Sequence, residues 1–384
     1  MDLLEKFFID RNSAKSTQDH YRASVKQYEK LNKLTLNELI EEADKEEDNG
    51  VRWKHRQVKC RLVDFRNWLY QHKSQGTARQ YLNDIKTIYR HYEIELHDLP
   101  NYTSKQIDQT YEMRFEDILT KDELIDAYYG ANNVVKCIIL FASSSGLSKV
   151  DLLNLTVGNF IEACDCKNKE LFEQLEEIKS NKKLIPCFQG NRQKTAKPYT
   201  TFCSPEATQH IVQYLLGRNS QIQLAYEKGD SIDCQLRYDD KLFDISNSHL
   251  SYTLKLINLK LGFGKVGKST KFRCHALRKW QATVLLNIEN GFSVQEIDKL
   301  QGRSQDKTHR AYFHNDKELL YKKYLACVDE LMLFESIHSV DAAEVEQLKV
   351  ENITYKRKLE DQQKTINQII QNQRELEKLL GIGE

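Results

Sequence analysis

The chain has 384 residues, with 57 lysines and arginines against 56 acids for a net charge of +1, and 40% hydrophobic and 29% charged residues. That is long enough for two domains, each burying a core, and a tail. No stretch approaches the roughly 20 apolar residues of a membrane span, and the opening "MDLLEKFFIDRN" lacks the basic-then-apolar order of a secretory signal, so the expectation is an intracellular, cytoplasmic protein without membrane contact.

In chain order, residues 1–96 read as a small helical bundle. Tyr21, Val25, Tyr28 and Leu31 fall at helical spacing, as do Val58, Leu62, Phe65 and Leu69, and then Ala78, Leu82, Ile85, Tyr89 and Tyr92. Ser16 and Thr77 sit at or near helix starts. The near-zero total charge hides local excesses. Residues 51–90 hold ten Lys/Arg and two acids (Asp64 and Asp84), residues 41–48 hold six acids and one lysine, and residues 260–279 hold seven Lys/Arg and no acid. Local fields of this kind steer polyanions, because a Debye length of about 8 Å keeps distant charges from cancelling them. The basic side chains of 51–90 lie between apolar positions and should project from the bundle, either as a solvated face or as one that tracks phosphates.

Residues 97–115, with a proline and no apolar period, read as a linker. A second domain, 116–338, opens with two helical runs interrupted at "SSSGLS". Cys164 and Cys166 are the only close pair among nine irregularly spaced cysteines. With no second pair or histidine cluster they read as ordinary thiols and not as a metal site. "KLIPCF" and "PYTTF" are short β-type runs flanking "QGNRQKTAK", a strand–turn–strand element. Helix resumes at "SPEATQHIVQYLLGR", with Ser204 as N-cap and Pro205 and Glu206 in the first turn. In the tail, 339–384, the positions Val345, Leu348, Asn352, Tyr355, Leu359, Gln362, Ile366, Ile369, Gln373, Leu376 and Leu380 keep a 3-4 spacing. That spacing suits a coiled coil whose Asn352 selects register, or one amphipathic helix folded back on its own chain.

The chemistry concentrates in "KFRCHALRKWQATVL", where His275 and Arg278 lie three apart on one helix face among Lys271, Arg273 and Lys279. Side chains so spaced can converge on one anion. An isolated H-x-x-R is more often a satisfied histidine beside a surface cation. Downstream, however, Leu300, Gln301, Gly302 and Arg303 are followed by Thr308 and, nine residues after Arg303, by Tyr312.

With "HALR" at 275–278, "LQGR" at 300–303 and "THRAY" at 308–312, the sequence resembles the tyrosine recombinases, or phage-type integrases, over residues 13–333. The "GR" and "AYF" pieces are similar to an archaeal and archaeal-virus branch. What the resemblance implies is mainly α: a helical core-binding, DNA-clamping domain and a catalytic domain with a small β-sheet, closing as a C-shaped clamp on double-stranded DNA, with the coiled-coil helix as an addition. It implies strand cleavage and rejoining through a covalent 3′-phosphotyrosine without metal or cofactor. Tyr312 would be the nucleophile, Arg278 and Arg303 the phosphate contacts, Lys194 in the hairpin turn the general acid, and His275 a proton-transfer aid. Tyr321 and Tyr324, at helical spacing behind Tyr312, read as packing residues.

One box departs from the pattern. Where the family reads G-L-R-x-x-E-L, this chain has Gly146, Leu147, Ser148, Lys149, then Asp151 and Leu152. Lys149 could return a point charge but not a guanidinium fork; losing one preorganised donor costs about 2.7–4 kcal/mol, which slows such chemistry without abolishing it. The expected function is therefore a site-specific recombinase, nucleoid-associated and self-assembling on DNA as a dimer to tetramer. A degenerate integrase that binds a DNA site without cutting it is the alternative. A type IB topoisomerase fits less well, since no recognisable N-terminal cap of that family is present.

Overall fold

The apolar periodicity resolves into helices joined by short, well-capped turns in a computed structural model that describes residues 2–101, 114–167, 170–229, 232–289, 291–303 and 317–334. The chain divides into two compact units, Met1–Glu112 and Met113–Glu384. The fold is mainly α with a little β, as expected from the sequence.

The first unit contains α1 (Leu3–Asp10), α2 (Lys15–Asn32), α3 (Leu36–Asp48), α4 (Gln57–His72) and α5 (Gln75–His91). Val58, Leu62, Phe65 and Leu69 of α4 are all buried, as are Ala78, Leu82, Ile85 and Tyr89 of α5, so the 3.6-residue period marks the core face correctly. Helix α2 starts one residue before Ser16, with Ala14 at its cap, and α5 is capped by Ser74, whose Oγ accepts from the Thr77 N–H.

The expected basic face is partly consumed inside this unit. The acidic run of α3 lies against the arginines of α4: Glu47 accepts from Arg56 Nη1 at 2.6 Å, and Glu42 takes both Arg61 Nε at 2.6 Å and Nη2 at 2.8 Å. Arg66 donates to the Pro100 carbonyl. Three of the ten cations are therefore bonded within the unit and unavailable to a phosphate. Leu96 and Leu99 pack on the same core, so the linker expected at 97–115 begins as part of the bundle, while 102–113 lie outside the described residues.

The second unit runs α6 (Lys121–Tyr129), α7 (Asn133–Ser145), α8 (Lys149–Asn154), α9 (Val157–Cys164), α10 (Leu171–Ser180), the hairpin β1 (Cys187–Asn191) and β2 (Pro198–Phe202), α11 (Pro205–Glu227) and α12 (Asn247–Lys260). A two-residue hairpin, β3 (Lys265–Val266) with β4 (Ser269–Thr270), leads into α13 (Cys274–Asn287), α14 (Val294–Leu300) and α15 (Lys317–Leu331). The two helical runs expected before and after "SSSGLS" are four helices, because Asn132 and Thr156 each cap a new start. β1 and β2 pair antiparallel, Cys187 opposite Phe202 through Asn191 opposite Pro198.

Helix α7 is buried on all sides from Cys137 to its last residue. Its C-terminal carbonyls, which no helix can satisfy internally, are taken by side chains from three other elements. Thr201 Oγ1 donates to Ser145 O at 2.6 Å, Gln281 Nε2 to Ser144 O at 3.3 Å, and Tyr324 Oη to Ser144 O at 3.1 Å. The end of α7 is thus the point where the hairpin, α13 and α15 are fastened together. Tyr324 is buried there as a packing residue, while Tyr321 makes an edge contact with the Phe202 ring but is exposed. Among the described residues no helix is long and apolar enough to cross a membrane. Tyr312, Thr308 and the tail 339–384 lie outside the described residues.

Candidate functional site

The same convergence places Arg278. Gly146 ends α7 in the left-handed region at φ +65°, and a Cβ there would stand 2.3 Å from Gln281 Oε1, so any other residue would be strained and would displace the Gln281 amide. The turn aims the Gly146 carbonyl at Arg278 Nη1, 2.6 Å away, and Nη2 donates to Gln301 O at 2.5 Å. Gln301 answers by donating to Arg278 O at 3.0 Å and to Gln281 Oε1 at 2.7 Å. Arg278, 4% exposed, is held by carbonyls at the C-terminal ends of two helices, α7 and α14.

At the other end of the site, Asn258 on α12 receives the Phe272 N–H at 2.8 Å and donates to Gly264 O at 3.0 Å, fixing the hairpin and the start of α13. His275 follows one residue inside that helix start.

These elements surround a cleft of about 750 Å³ lined by Ser148, Lys149, Arg192, Ser251, Leu254, Lys255, Thr270, Phe272, Arg273, Cys274, His275, Arg278, Lys279 and Arg303. Seven of these are lysine or arginine, and none of the described lining residues is a carboxylate. Burial first, then Arg303 and Arg192, push the Arg278 guanidinium down to about 9, still charged at neutral pH. Burial, followed by Lys279, Arg273, Arg278 and Arg303, holds the His275 imidazole below its ordinary value, so it is neutral. Lys279 is depressed as well, by burial, Arg273 and Arg303. Asp151 and Asp298, outside the cleft lining, offset part of the effect on Arg278, but the net result there remains a depression. A buried cation amid like charges costs stability, and an anion in the cleft would recover that cost.

The predicted site residues distribute as follows. Arg278, His275, Arg303 and Lys149 all line the cleft. Arg303 lies 3.8 Å from Asp298, and Lys149 Nζ donates to Ser251 Oγ at 2.8 Å. Ser148 caps α8, its Oγ donating to Asp151 Oδ2 at 2.6 Å. Lys194 is exposed in the β1–β2 turn and does not line the cleft; its neighbour Arg192 does. Arg192 and Lys255 were not singled out from the sequence. Lys271, counted there among unneutralised cations, is paired with Glu123 at 2.6 Å.

A separate cavity of about 820 Å³ beneath the hairpin is lined by Glu162, Asp165 and Glu177, with Cys164, Cys166 and Cys187. Its acids repel phosphate. Burial raises the Cys166 thiol to about 11 and pushes Cys164 up further, so neither is a thiolate at neutral pH.

No known family matches the chain, and no curated protein matches it. Among solved structures it is similar to XerA recombinase, with 17% identity and a TM-score of 0.32 over 84% of this chain and 96% of that one. It is also similar to the XerH site-specific recombinase bound to its difH substrate, with 15% identity and a TM-score of 0.40 over 69% of each chain. A third likeness, to a lambda integrase tetramer bound to a Holliday junction, has 14% identity and a TM-score of 0.42 over 82% of this chain and 76% of that one. At such identities and scores, the chemistry has to be read from the cleft's own residues.

That chemistry is anion capture with proton transfer available. Guanidinium groups stay charged and donate in a planar fork suited to phosphate oxygens, and a neutral imidazole beside them can accept a proton.

Proposed function

We propose that the protein is a site-specific DNA recombinase of the tyrosine type. The observation that carries this is the cleft in which seven cations and His275 meet around the buried Arg278 without a lining carboxylate. In the proposed reaction Tyr312 Oη attacks the scissile phosphorus, the bond from phosphorus to the 5′ oxygen breaks, and a 3′-phosphotyrosine forms. Neutral His275 takes the phenolic proton, and Lys194, which stands outside the cleft in the turn that carries Arg192, is proposed to reach the leaving 5′ oxygen and protonate it once DNA is bound. Arg278 and Arg303 hold the nonbridging oxygens as charge grows on them. The protein–DNA bond conserves the phosphodiester energy, so rejoining is the reverse attack by a 5′ hydroxyl.

Double-stranded DNA is the proposed partner, with the helical domain as clamp, and the heptads of 339–384 are proposed to drive self-association. The proposed archaeal-like branch rests on Gly302-Arg303 and the run at 311–313 alone. Selection of a bound site from randomised duplexes, followed by a nicked suicide duplex of that site, tests the chemistry. A covalent adduct that disappears in Tyr312→Phe is the expected result. The alternative, a DNA-binding relic, would instead give tight binding of the selected duplex with no adduct. Truncation after Val340 should lower the solution mass; an unchanged mass refutes the role given to the tail.

A further inference from the structure

We propose that Arg192 is a further phosphate-gripping guanidinium of the cleft, beside Arg278 and Arg303, in the place of the arginine that Ser148 does not supply. This rests on the recombinase reading and names a residue for it.

Neither residue at the departing box can do the work. Ser148 spends its hydroxyl on Asp151, donating at 2.6 Å and accepting the Asp151 N–H at 3.4 Å. Lys149 is engaged with Ser251 and offers a point charge only. Arg192 reaches the same cleft from the other side, out of the β1–β2 turn, with its side chain 22% exposed.

Its donors are largely unspent. Among the described residues Nε has no hydrogen-bond partner, the nearest carboxylate oxygen, Asp151 Oδ2, being 3.8 Å away, and Nη1 meets Gly302 O only at 3.4 Å. Arg61 shows what a structural arginine in this chain looks like, with contacts of 2.6 and 2.8 Å to one carboxylate. Arg192 is held near a counter-charge without being satisfied by it, which is the state expected of a fork waiting for an anion.

The fork is also preorganised. The turn is closed by the Arg192 N–H donating to Lys197 O and the Ala196 N–H donating to Arg192 O, both at 2.8 Å, and it is tied to α8 by the Gln193 N–H donating to Asp151 Oδ1 at 2.8 Å. Asp151, buried and serving Ser148 and Gln193, acts here as a positioning residue. On its other flank the stem of Arg192 lies against Gly302, where a Cβ would come within 3.6 Å of Arg192 Cβ, so Arg192 packs on the residue preceding Arg303, and both line the cleft. The depression of Arg278 by Arg303 and Arg192 accords with three guanidinium groups around one space.

The test is titration calorimetry of the full chain with inorganic phosphate at low ionic strength, alongside the suicide-duplex assay. Arg192→Gln should weaken phosphate binding by about 10–100-fold, the worth of a charge-assisted contact, while Lys183→Gln, an exposed charge elsewhere on the unit, changes it less than twofold. Arg192→Lys, which keeps the charge and loses the fork, should fall between them, and it stands in if the glutamine variant does not fold. Phosphate affinity within twofold of the parent in both Arg192 variants overturns the inference. Adduct formation unchanged in Arg192→Gln also overturns it while leaving the recombinase reading intact. Phosphate binding that depends on Arg192 in a chain forming no adduct keeps the guanidinium and removes the recombinase.

Discussion

Replacing Arg278 by methionine separates a functional cation from a structural strut. The side chain makes two short hydrogen bonds, to Gly146 O and Gln301 O. Losing both costs about 3–6 kcal/mol, at about 1.5–3 kcal/mol for each bond to a charged group. Against that stands the electrostatic burden of the buried charge. A guanidinium lowered from 12.5 to about 9 is less favourably protonated in the folded state by ~5 kcal/mol. The sign matters. Both folded and unfolded chains are protonated below about 9, so the full penalty is present at neutral pH and lifts only as pH rises from there toward 12.5.

The two contributions nearly cancel, and Arg278→Met should unfold in urea within about 2 kcal/mol of the parent. DNA binding should respond very differently. Loss of one phosphate contact lowers the slope of log affinity against log salt by about 1, and the phosphate-centred charge stabilisation falls by about 2.7–4 kcal/mol. Urea denaturation and fluorescence anisotropy on a labelled duplex across a salt series measure both. A loss of more than about 4 kcal/mol in stability with an unchanged salt slope would falsify the placement of Arg278 in an anion site, since that combination is what removing a strut produces.

Three further outcomes follow from the same geometry. Burial, and after it the cations around it, hold His275 below its ordinary value, so an anion that neutralises those cations should raise it. Affinity for duplex DNA, whose phosphodiesters do not titrate in this range, should therefore increase as pH falls from about 7 toward 5.5, and the increase should vanish in His275→Gln; a pH-independent affinity in the parent contradicts this. Burial raises Glu206 from 4.5 to about 7, against the lowering effect of the Leu333 and Phe334 N–H groups it accepts. The folded state binds that proton more tightly, so stability should grow as pH falls through about 7 toward 4.5, by up to ~3 kcal/mol, and Glu206→Gln should flatten the rise seen by chemical denaturation. Gly146→Ala meets both a positive φ and Gln281 Oε1 at 2.3 Å; a loss of about 2–4 kcal/mol is expected, together with weakened phosphate binding, because the acceptor of Arg278 is displaced.

The parts of this molecule that were legible in the sequence are those whose cause is local. Val58, Leu62, Phe65 and Leu69 announce a buried helix face by period alone, and Ser204 with Pro205 and Glu206 announces a helix start. His275 and Arg278 could be paired because one turn of one helix carries both. What escaped reading is long-range. The excess of cations in 51–90 looks like a surface property until α3 folds its acids against Arg56 and Arg61. The isolation of Lys271 ends at Glu123, 148 residues earlier.

Arg192 and Lys194 show the same limit at the site itself. Both are basic, both occupy one turn, and the motif favours the lysine. Which side chain enters the cleft depends on Asp151 gripping the Gln193 N–H 42 residues away and on Gly302 leaving room beside the Arg192 stem. The aspartate that sits three residues beyond Ser148 therefore has two duties: it occupies the serine's hydroxyl and it steers the turn that brings in a guanidinium. Loss of arginine at one position and gain of it at another are then linked through a single carboxylate. Asp151→Asn, which keeps the hydrogen-bonding shape and drops the charge, should loosen Arg192 before it unfolds α8.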